Sequence, residues 1–127
     1  MAELVIDSSA VLAWLTGERG AEAVEPVLPV SLVSAVNLAE IITKLVEGGH
    51  TDSEATELVL RSDYDVIGFD QTLALRAGQL RRQTRHLGLS LGDRACLALA
   101  ERESLPVLTA DRAWASLDIG VEIRLIR

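Results

Sequence analysis

Residues 4–15 read LVIDSSAVLAWL, and this stretch decides the fold. Its first three residues form an apolar, partly β-branched run that is typical of a buried strand. The apolar spacing of its last eight residues is that of a helix, which Gly17 brings to an end. Asp7 lies where the strand passes into the helix. A short strand followed at once by a helix is the first half of the strand–helix–strand unit from which parallel sheets are built.

The same alternation continues along the rest of the chain. Further strands are predicted at residues 30–33, 66–67, 106–109 and, at a sheet edge, 121–126. Helices are predicted at residues 36–46, from a Thr51 capping box to about residue 63, from Asp70 through Arg85, and from Ser90 to about residue 103. Pro26 and Pro29 bracket a connection. The pattern predicts an α/β fold in which helices sandwich a mostly parallel five-stranded sheet.

The composition limits the classes of protein to which this chain can belong. Its 127 residues suit one domain, and a hydrophobic content of 49% argues against disorder. The single cysteine, Cys96, excludes an internal disulfide and a cysteine-rich zinc site. No apolar stretch approaches the roughly 18 residues of a membrane span, and the first residues do not look like a signal peptide. We therefore expect a cytoplasmic protein with no membrane partner.

Four carboxylates stand where such a fold can bring them together. Asp7 and Asp111 each follow a predicted strand, and the carboxyl ends of parallel strands share one edge of a sheet. Asp93 is in line with the apolar Cys96 of its helix, so its side chain is expected to be buried. Glu40 is on the helix after the second strand. Clustered carboxylates repel one another unless a cation lies between them, and Mg²⁺ or Mn²⁺ prefers such oxygen ligands.

Each of these acids also has a purely structural interpretation. Asp7 and Asp111 suit the N-cap position of the helical turn that follows them. Asp93 suits the last position of the capping box of its own helix. Glu40 lies away from the apolar stripe of its helix, where an ion pair with Lys44 on a solvated face explains it equally well. The local sequence favours burial for Asp93 and the solvated face for Glu40, and leaves the other two open.

Four segments of the chain carry a resemblance to a known family when they are taken in order. They are Val5 to Ser9, Ser34 to Ile41, Ser90 to Asp93 with Ala95 and Ala98 to Ala100, and Leu108 to Asp111 with Trp114. Together they resemble the PIN-domain nucleases, and most of all the VapC-type toxins of toxin–antitoxin pairs. The resemblance covers nearly the whole chain, so a single PIN-like domain is expected over residues 1–127.

The resemblance implies a catalytic metal site. The family's acidic quartet matches Asp7, Glu40, Asp93 and Asp111, which would be catalytic and would ligate one or two Mg²⁺ or Mn²⁺ ions. Small polar residues that line the family's pocket match Ser8, Ser9 and Thr109, as substrate-binding groups. The implied activity is that of an endoribonuclease, a hydrolase that cuts RNA phosphodiester bonds. Two alternatives remain, a PIN-fold binding module without catalysis and a PIN nuclease that processes RNA without an antitoxin.

The resemblance also implies protein partners. A VapC-type toxin has a cognate VapB-like antitoxin, and the family suggests a homodimer with two acidic pockets along one RNA-binding face. A basic side chain of the antitoxin would suit the acidic pocket. Apolar grooves near Val11, Leu12 and Leu15 would hold the rest of the antitoxin peptide as a helix in a groove.

The net charge of −7 alone argues against a nucleic-acid partner. The four candidate acids, however, supply four of those seven charges, and the arginines are concentrated in residues 76–94, where Asp93 is the only acid. Arg81 and Arg85 share a helix face, and Arg94 follows the third acid of the quartet. These three are candidate substrate-binding residues. The alternative is that this arginine-rich segment is a solvated or partner-facing surface.

Overall fold

The computed structural model describes residues 1–127 and contains a five-stranded, fully parallel sheet. The strands are β1 Leu4–Ile6, β2 Ser31–Ser34, β3 Asp65–Ile67, β4 Val107–Thr109 and β5 Ile123–Leu125. Their order across the sheet is β3-β2-β1-β4-β5. From β1 the chain therefore adds β2 and β3 on one side, and then returns to add β4 and β5 on the other side. Such a reversal leaves a crevice at the carboxyl ends of the central strands.

Seven α-helices connect and cover the strands. They are α1 Ser8–Leu15, α2 Ala21–Val24, α3 Ala35–Glu47, α4 Asp52–Leu60, α5 Gln71–Gln79, α6 Arg81–Thr84 and α7 Leu91–Glu103. Side chains cap most of the longer helices: Ser34 caps α3, Asp70 caps α5, and capping boxes begin α4 at Thr51 and α7 at Ser90. No helix combines the length and the apolar character that a bilayer span requires.

The core consists of one apolar layer on each face of the sheet. Because strand side chains alternate, Leu4 and Ile6 of β1 join one layer and Val5 joins the other. The first layer also contains buried residues of α1, α3 and α4, and the second contains buried residues of α5 and α7. The predicted sandwich of helices around a five-stranded sheet is confirmed.

Two local predictions are wrong. The helix expected from Asp70 through Arg85 ends at Gln79 and resumes as α6. Leu80 has φ −63° and ψ −14°, and its carbonyl accepts bonds from the backbone N–H and the hydroxyl of Thr84. The ψ of Leu80 departs from the α-helical value of about −42°, and the helix is interrupted at this residue.

The second wrong prediction is the start of β2. The connection bracketed by Pro26 and Pro29 forms a 3-10 helix, Glu25–Val30. The fixed φ of Pro26 suits the first turn of this helix, where no N–H donor is needed. The 3-10 helix takes in Val30, so β2 begins one residue later than expected.

Candidate metal-binding active site

The four predicted acids line one cavity of about 540 Å³ at the carboxyl ends of β1, β2 and β4. Asp7 directly follows β1, and Asp111 lies two residues beyond β4. Glu40 reaches the cavity from α3 on one face of the sheet, and Asp93 reaches it from α7 on the other. The remaining lining residues are Ser8, Ser9, Leu12, Val36, Ala39, Thr43, Lys44 and Glu47. We call this cavity the acidic pocket.

Asp7 is only 2% exposed and is held by two hydroxyl groups. Ser9 Oγ donates to Asp7 Oδ2 at 2.5 Å, and Thr109 Oγ1 donates to the same oxygen at 3.0 Å. Asp7 stands at the N-cap position of α1, but its side chain makes no capping hydrogen bond. Its other oxygen, Oδ1, is buried and has no hydrogen-bond partner. A buried carboxylate oxygen without a donor is an incomplete arrangement that a cation would complete.

Two acids of the pocket, Asp7 and Asp93, have raised pKa values, first because they are buried and then because other carboxylates lie near them. Burial raises the pKa of Asp7 to about 6; the Ser9 and Thr109 hydroxyls oppose this rise, and the charge of Asp93 adds to it. Burial also raises the pKa of Asp93, the Ser90 backbone and hydroxyl oppose the rise, and the charges of Glu40 and Asp111 add to it. Negative charge on Asp7 and Asp93 is therefore costly without a cation.

Glu40 is fixed by hydrogen bonds instead of extending into solvent. Its Oε1 accepts from Asn37 Nδ2 at 2.8 Å and from Ser8 Oγ at 3.1 Å. The alternative ion pair between Glu40 and Lys44 does not form. Lys44 Nζ lies instead 3.8 Å from Glu47 Oε1. The polar face of α3 thus looks into the crevice, and Lys44 and Glu47 form its rim.

Two residues that the sequence analysis did not select hold Glu40 in place. Asn37 is fully buried, and its Nδ2 also donates to the carbonyl oxygen of Gly92 at 3.0 Å. A Cβ atom on Gly92 would collide with the Glu40 carboxylate. Two sequence signals point to them: Asn37 is three residues before Glu40 on the same helix face, and Gly92 directly precedes Asp93.

Asp93 and Asp111 combine capping with a place in the pocket. Asp93 Oδ2 accepts from the backbone N–H of Ser90 at 3.0 Å and completes the capping box of α7. Asp111 Oδ1 accepts from the N–H of Ala113 at 3.0 Å and caps the 3-10 helix Arg112–Ser116. The structural interpretation of both residues is therefore correct, and it does not exclude a role in the site.

Each of the four carboxylates uses one oxygen for protein hydrogen bonds and leaves the other without a protein partner. The bonded oxygens are Asp7 Oδ2, Glu40 Oε1, Asp93 Oδ2 and Asp111 Oδ1. No group of three or more acidic, histidine or cysteine side chains is placed so that together they could hold a metal ion. Mg²⁺ does not need such a group, since it keeps several waters and takes only one or two carboxylates directly. The donor set therefore fits a hard divalent cation held partly through water.

The predicted arginine contacts lie outside the acidic pocket. Arg94 turns toward α5, where its Nη1 donates to the carbonyl oxygen of Ala77 at 3.0 Å. Arg81 and Arg85 are exposed and line a separate cleft. Thr109 is not among the lining residues, but it lies directly behind Asp7. The structure therefore brings together the acidic quartet with Ser8, Ser9 and Thr109, and separates the three arginines from it.

The fold and the site define a class: a small parallel α/β protein with a pocket of carboxylates at its switch point. The chain belongs to the PIN-domain family, whose model matches residues 4–120. A comparison with characterised protein sequences finds no match.

Solved structures of similar fold include components of toxin–antitoxin systems. A toxin–antitoxin complex from Klebsiella pneumoniae contains a chain 21% identical, with 98% of each chain covered and a TM-score of 0.76. DNA-bound VapBC from Salmonella typhimurium matches at 19% identity over 100% of each chain, also with a TM-score of 0.76. The sarcin–ricin loop cleaving toxin VapC20 from Mycobacterium tuberculosis matches at 17% identity over 94% of this chain and 99% of that one, with a TM-score of 0.71. At these identities the likeness concerns the fold.

Proposed function

We propose that this protein is a divalent-metal-dependent endoribonuclease and the toxin of a toxin–antitoxin pair. The observation that carries the proposal is the acidic pocket, in which each of four carboxylates keeps one oxygen free. Membership of the PIN-domain family and the fold shared with VapBC toxins support it. The proposed substrate is RNA and the proposed cofactor is Mg²⁺ or Mn²⁺.

Asp7 and Asp93 are the proposed direct ligands. Asp7 follows β1 and Asp93 lies on α7, and both carry raised pKa values that a cation would lower again. When bound, a divalent cation supplies Lewis-acid chemistry: it makes water more acidic and neutralises charge at the phosphoryl oxygen. The hydroxyls of Ser9 and Thr109 hold Asp7 so that Oδ1 stays available.

Glu40 and Asp111 orient the attacking water or hold a second ion. Glu40 is suited to this role because Ser8 and Asn37 fix one oxygen and thereby set the direction of the other. A carboxylate in a fixed position accepts a proton from water without first reorganising. Lys44 at the rim is the pocket's only cationic lining residue and would meet a phosphate that enters.

A nuclease assay distinguishes this function from that of a non-catalytic PIN-fold binding module. Purified protein is incubated with a single-stranded RNA in Mg²⁺, in Mn²⁺ and in EDTA, beside Asp7→Asn. We expect cleavage with either metal, none in EDTA and none by the variant. Binding of RNA without cleavage under every metal condition would favour the binding module.

The proposed partners are a VapB-like antitoxin and a second copy of the chain. Val11 is fully buried in the core, so a groove for an antitoxin helix would use Leu12, which lines the acidic pocket, and the half-buried Leu15. Co-expression with the product of an adjacent small gene should give a stable complex that does not cleave RNA. Light scattering of the purified chain should give the mass of a dimer. A complex that still cleaves RNA would show that the antitoxin does not block the acidic pocket, and the mass of a monomer would contradict the proposed dimer.

A further inference from the structure

A second cleft in the molecule has the opposite charge to the acidic pocket. Its cavity measures about 470 Å³, and no hydrophobic or acidic residue lines it. The lining residues are Arg76, Gly78, Gln79, Arg81, Arg82, Gln83 and Arg85. We call it the arginine cleft. In a chain of net charge −7, four arginines around one cavity form a local positive surface.

Three of the four arginines are free to bind a ligand. Arg76 is already paired, since its Nε and Nη2 donate to the two carboxylate oxygens of Glu101 at 2.6 and 2.9 Å. Arg81, Arg82 and Arg85 are exposed and take no part in the ion pairs of the chain. The break in the helix at Leu80 places Arg81 and Arg82 in α6 and Arg85 in the 3-10 helix that follows.

The arginine cleft lies at the same end of the molecule as the acidic pocket. Helices α5 and α7 run antiparallel, because Arg102 near the end of α7 pairs with Asp70 at the start of α5, at 3.4 Å. At the opposite end, Arg94 of α7 bonds to Ala77 of α5. The cleft is built from Arg76 and from residues 78–85, on either side of Ala77, and Asp93 directly precedes Arg94. A flexible polyanion with one segment in the acidic pocket can therefore extend toward the cleft.

We propose that the arginine cleft binds the phosphate backbone of the RNA substrate outside the acidic pocket. The inference rests on the proposed function for the identity of the polyanion. Guanidinium groups form paired hydrogen bonds to phosphate, and the amides of Gln79 and Gln83 add neutral donors for phosphate and sugar oxygens. Contacts to phosphate carry no sequence information, so the cleft contributes affinity without sequence preference.

The lining argues against an antitoxin helix as the occupant. A helix that docks in a groove buries apolar anchor residues, and this cleft has no hydrophobic residue to receive them. The cations also attract the substrate to a protein whose total charge would otherwise repel it. The cleft thus offsets the repulsion between the acidic pocket and RNA.

The test uses the full-length chain in EDTA, where binding is separated from cleavage. Fluorescence anisotropy measures the affinity for a labelled single-stranded RNA of mixed sequence over a range of salt concentrations. The variant is Arg81→Gln/Arg85→Gln, and the control is Arg61→Gln/Arg124→Gln, which removes the same charge from exposed sites paired with Glu57 and Glu122. We expect the cleft variant to bind about tenfold more weakly at low salt and its salt slope to fall by about 1.4, which is two phosphate contacts at about 0.7 each. The control should bind like wild type.

Three results would overturn the proposal. The first is an unchanged affinity and salt slope in the cleft variant, and the second is an equal loss in the control variant. The third is a loss confined to duplex DNA, or to a poly-glutamate peptide, which would assign the cleft to DNA or to an acidic protein segment. A failed proposed function remains distinguishable, since the protein would then bind RNA through the cleft and cleave none when Mg²⁺ or Mn²⁺ is added.

Discussion

The carboxylate of Glu40 occupies the space that a side chain on Gly92 would need. Asn37 joins the two residues, because its Nδ2 donates both to Glu40 Oε1 and to the Gly92 carbonyl oxygen. An acid on α3 is thus seated against the first turn of α7, directly beside Asp93. This contact between α3 and α7 brings together Glu40 and Asp93, the two acids of the pocket that lie on helices.

Gly92→Ala should displace Glu40 and slow RNA cleavage by about a hundredfold, which is the order expected when a catalytic group is misplaced by about 1 Å. The stability of the Gly92→Ala variant is compared with that of Gly78→Ala. Gly78 lies in a helix, and no atom is near the position that a Cβ would take there. Alanine at residue 78 should raise the free energy of unfolding by about 0.5–1 kcal/mol through helix propensity. Urea unfolding should show no such gain at residue 92. Equal gains at both sites, with cleavage intact, would contradict the packing described.

Glu40→Gln should abolish most RNA cleavage while the fold is retained. Glutamine keeps an oxygen for the Ser8 and Asn37 hydrogen bonds but loses the negative charge that accepts a proton or a cation. Initial cleavage rates and a thermal melt are measured together. A variant that cleaves as fast as wild type would show that Glu40 is a solvated surface residue after all.

The stability of the metal-free protein should depend on pH through Asp7. The folded state keeps this carboxyl protonated up to a pKa of about 6, whereas its ordinary value is 3.8. The protein should therefore lose up to about 3 kcal/mol of unfolding free energy as the pH rises from about 4 through 6. Asp7→Asn does not ionise and should be more stable than wild type at pH 7.5, with little difference at pH 4. Urea unfolding in EDTA checks this, and a difference that does not vary with pH would count against it.

Adding metal should narrow the difference in stability between Asp7→Asn and wild type. A cation at ten times its Kd stabilises the folded wild type by about 1.4 kcal/mol. Asp7→Asn has lost the charge of a proposed ligand and should gain little. Thermal melts in Mg²⁺, Mn²⁺ and EDTA give the comparison. If the melting temperature of neither protein changed with the metal, the proposed metal site would be contradicted.

The sequence predicts a site residue well where its place in the site follows from its position relative to a predicted strand or helix. Asp7 and Asp111 follow strands, and Asp93 stands in the first turn of a helix with an apolar face, so their positions follow from the chain alone. The surroundings of Glu40 do not. Its contacts depend on how α3 and α7 meet, and the bond from Asn37 to Gly92 joins residues 55 positions apart. Local pattern therefore assigned Glu40 to a solvated face, and only the family resemblance placed it in the site.

The helix break at Leu80 was also beyond local prediction. The apolar spacing continues through this region, and no local signal in the sequence marks Leu80 as the residue at which the helix is interrupted. Residues on both sides of the break line the arginine cleft. An unbroken helix would have placed Arg81 and Arg85 on one straight face.

The central claim, that the acidic pocket cuts RNA with a divalent cation, is tested most directly by one rate comparison. RNA cleavage is measured in Mn²⁺ for wild type, Asp93→Asn and Asp118→Asn, the last being a matched change of an exposed acid that does not line the pocket. Asparagine can still accept the Ser90 hydrogen bond, so α7 keeps its cap. The account predicts that Asp93→Asn loses cleavage and that Asp118→Asn retains the wild-type rate. Wild-type cleavage by a well-folded Asp93→Asn would contradict it.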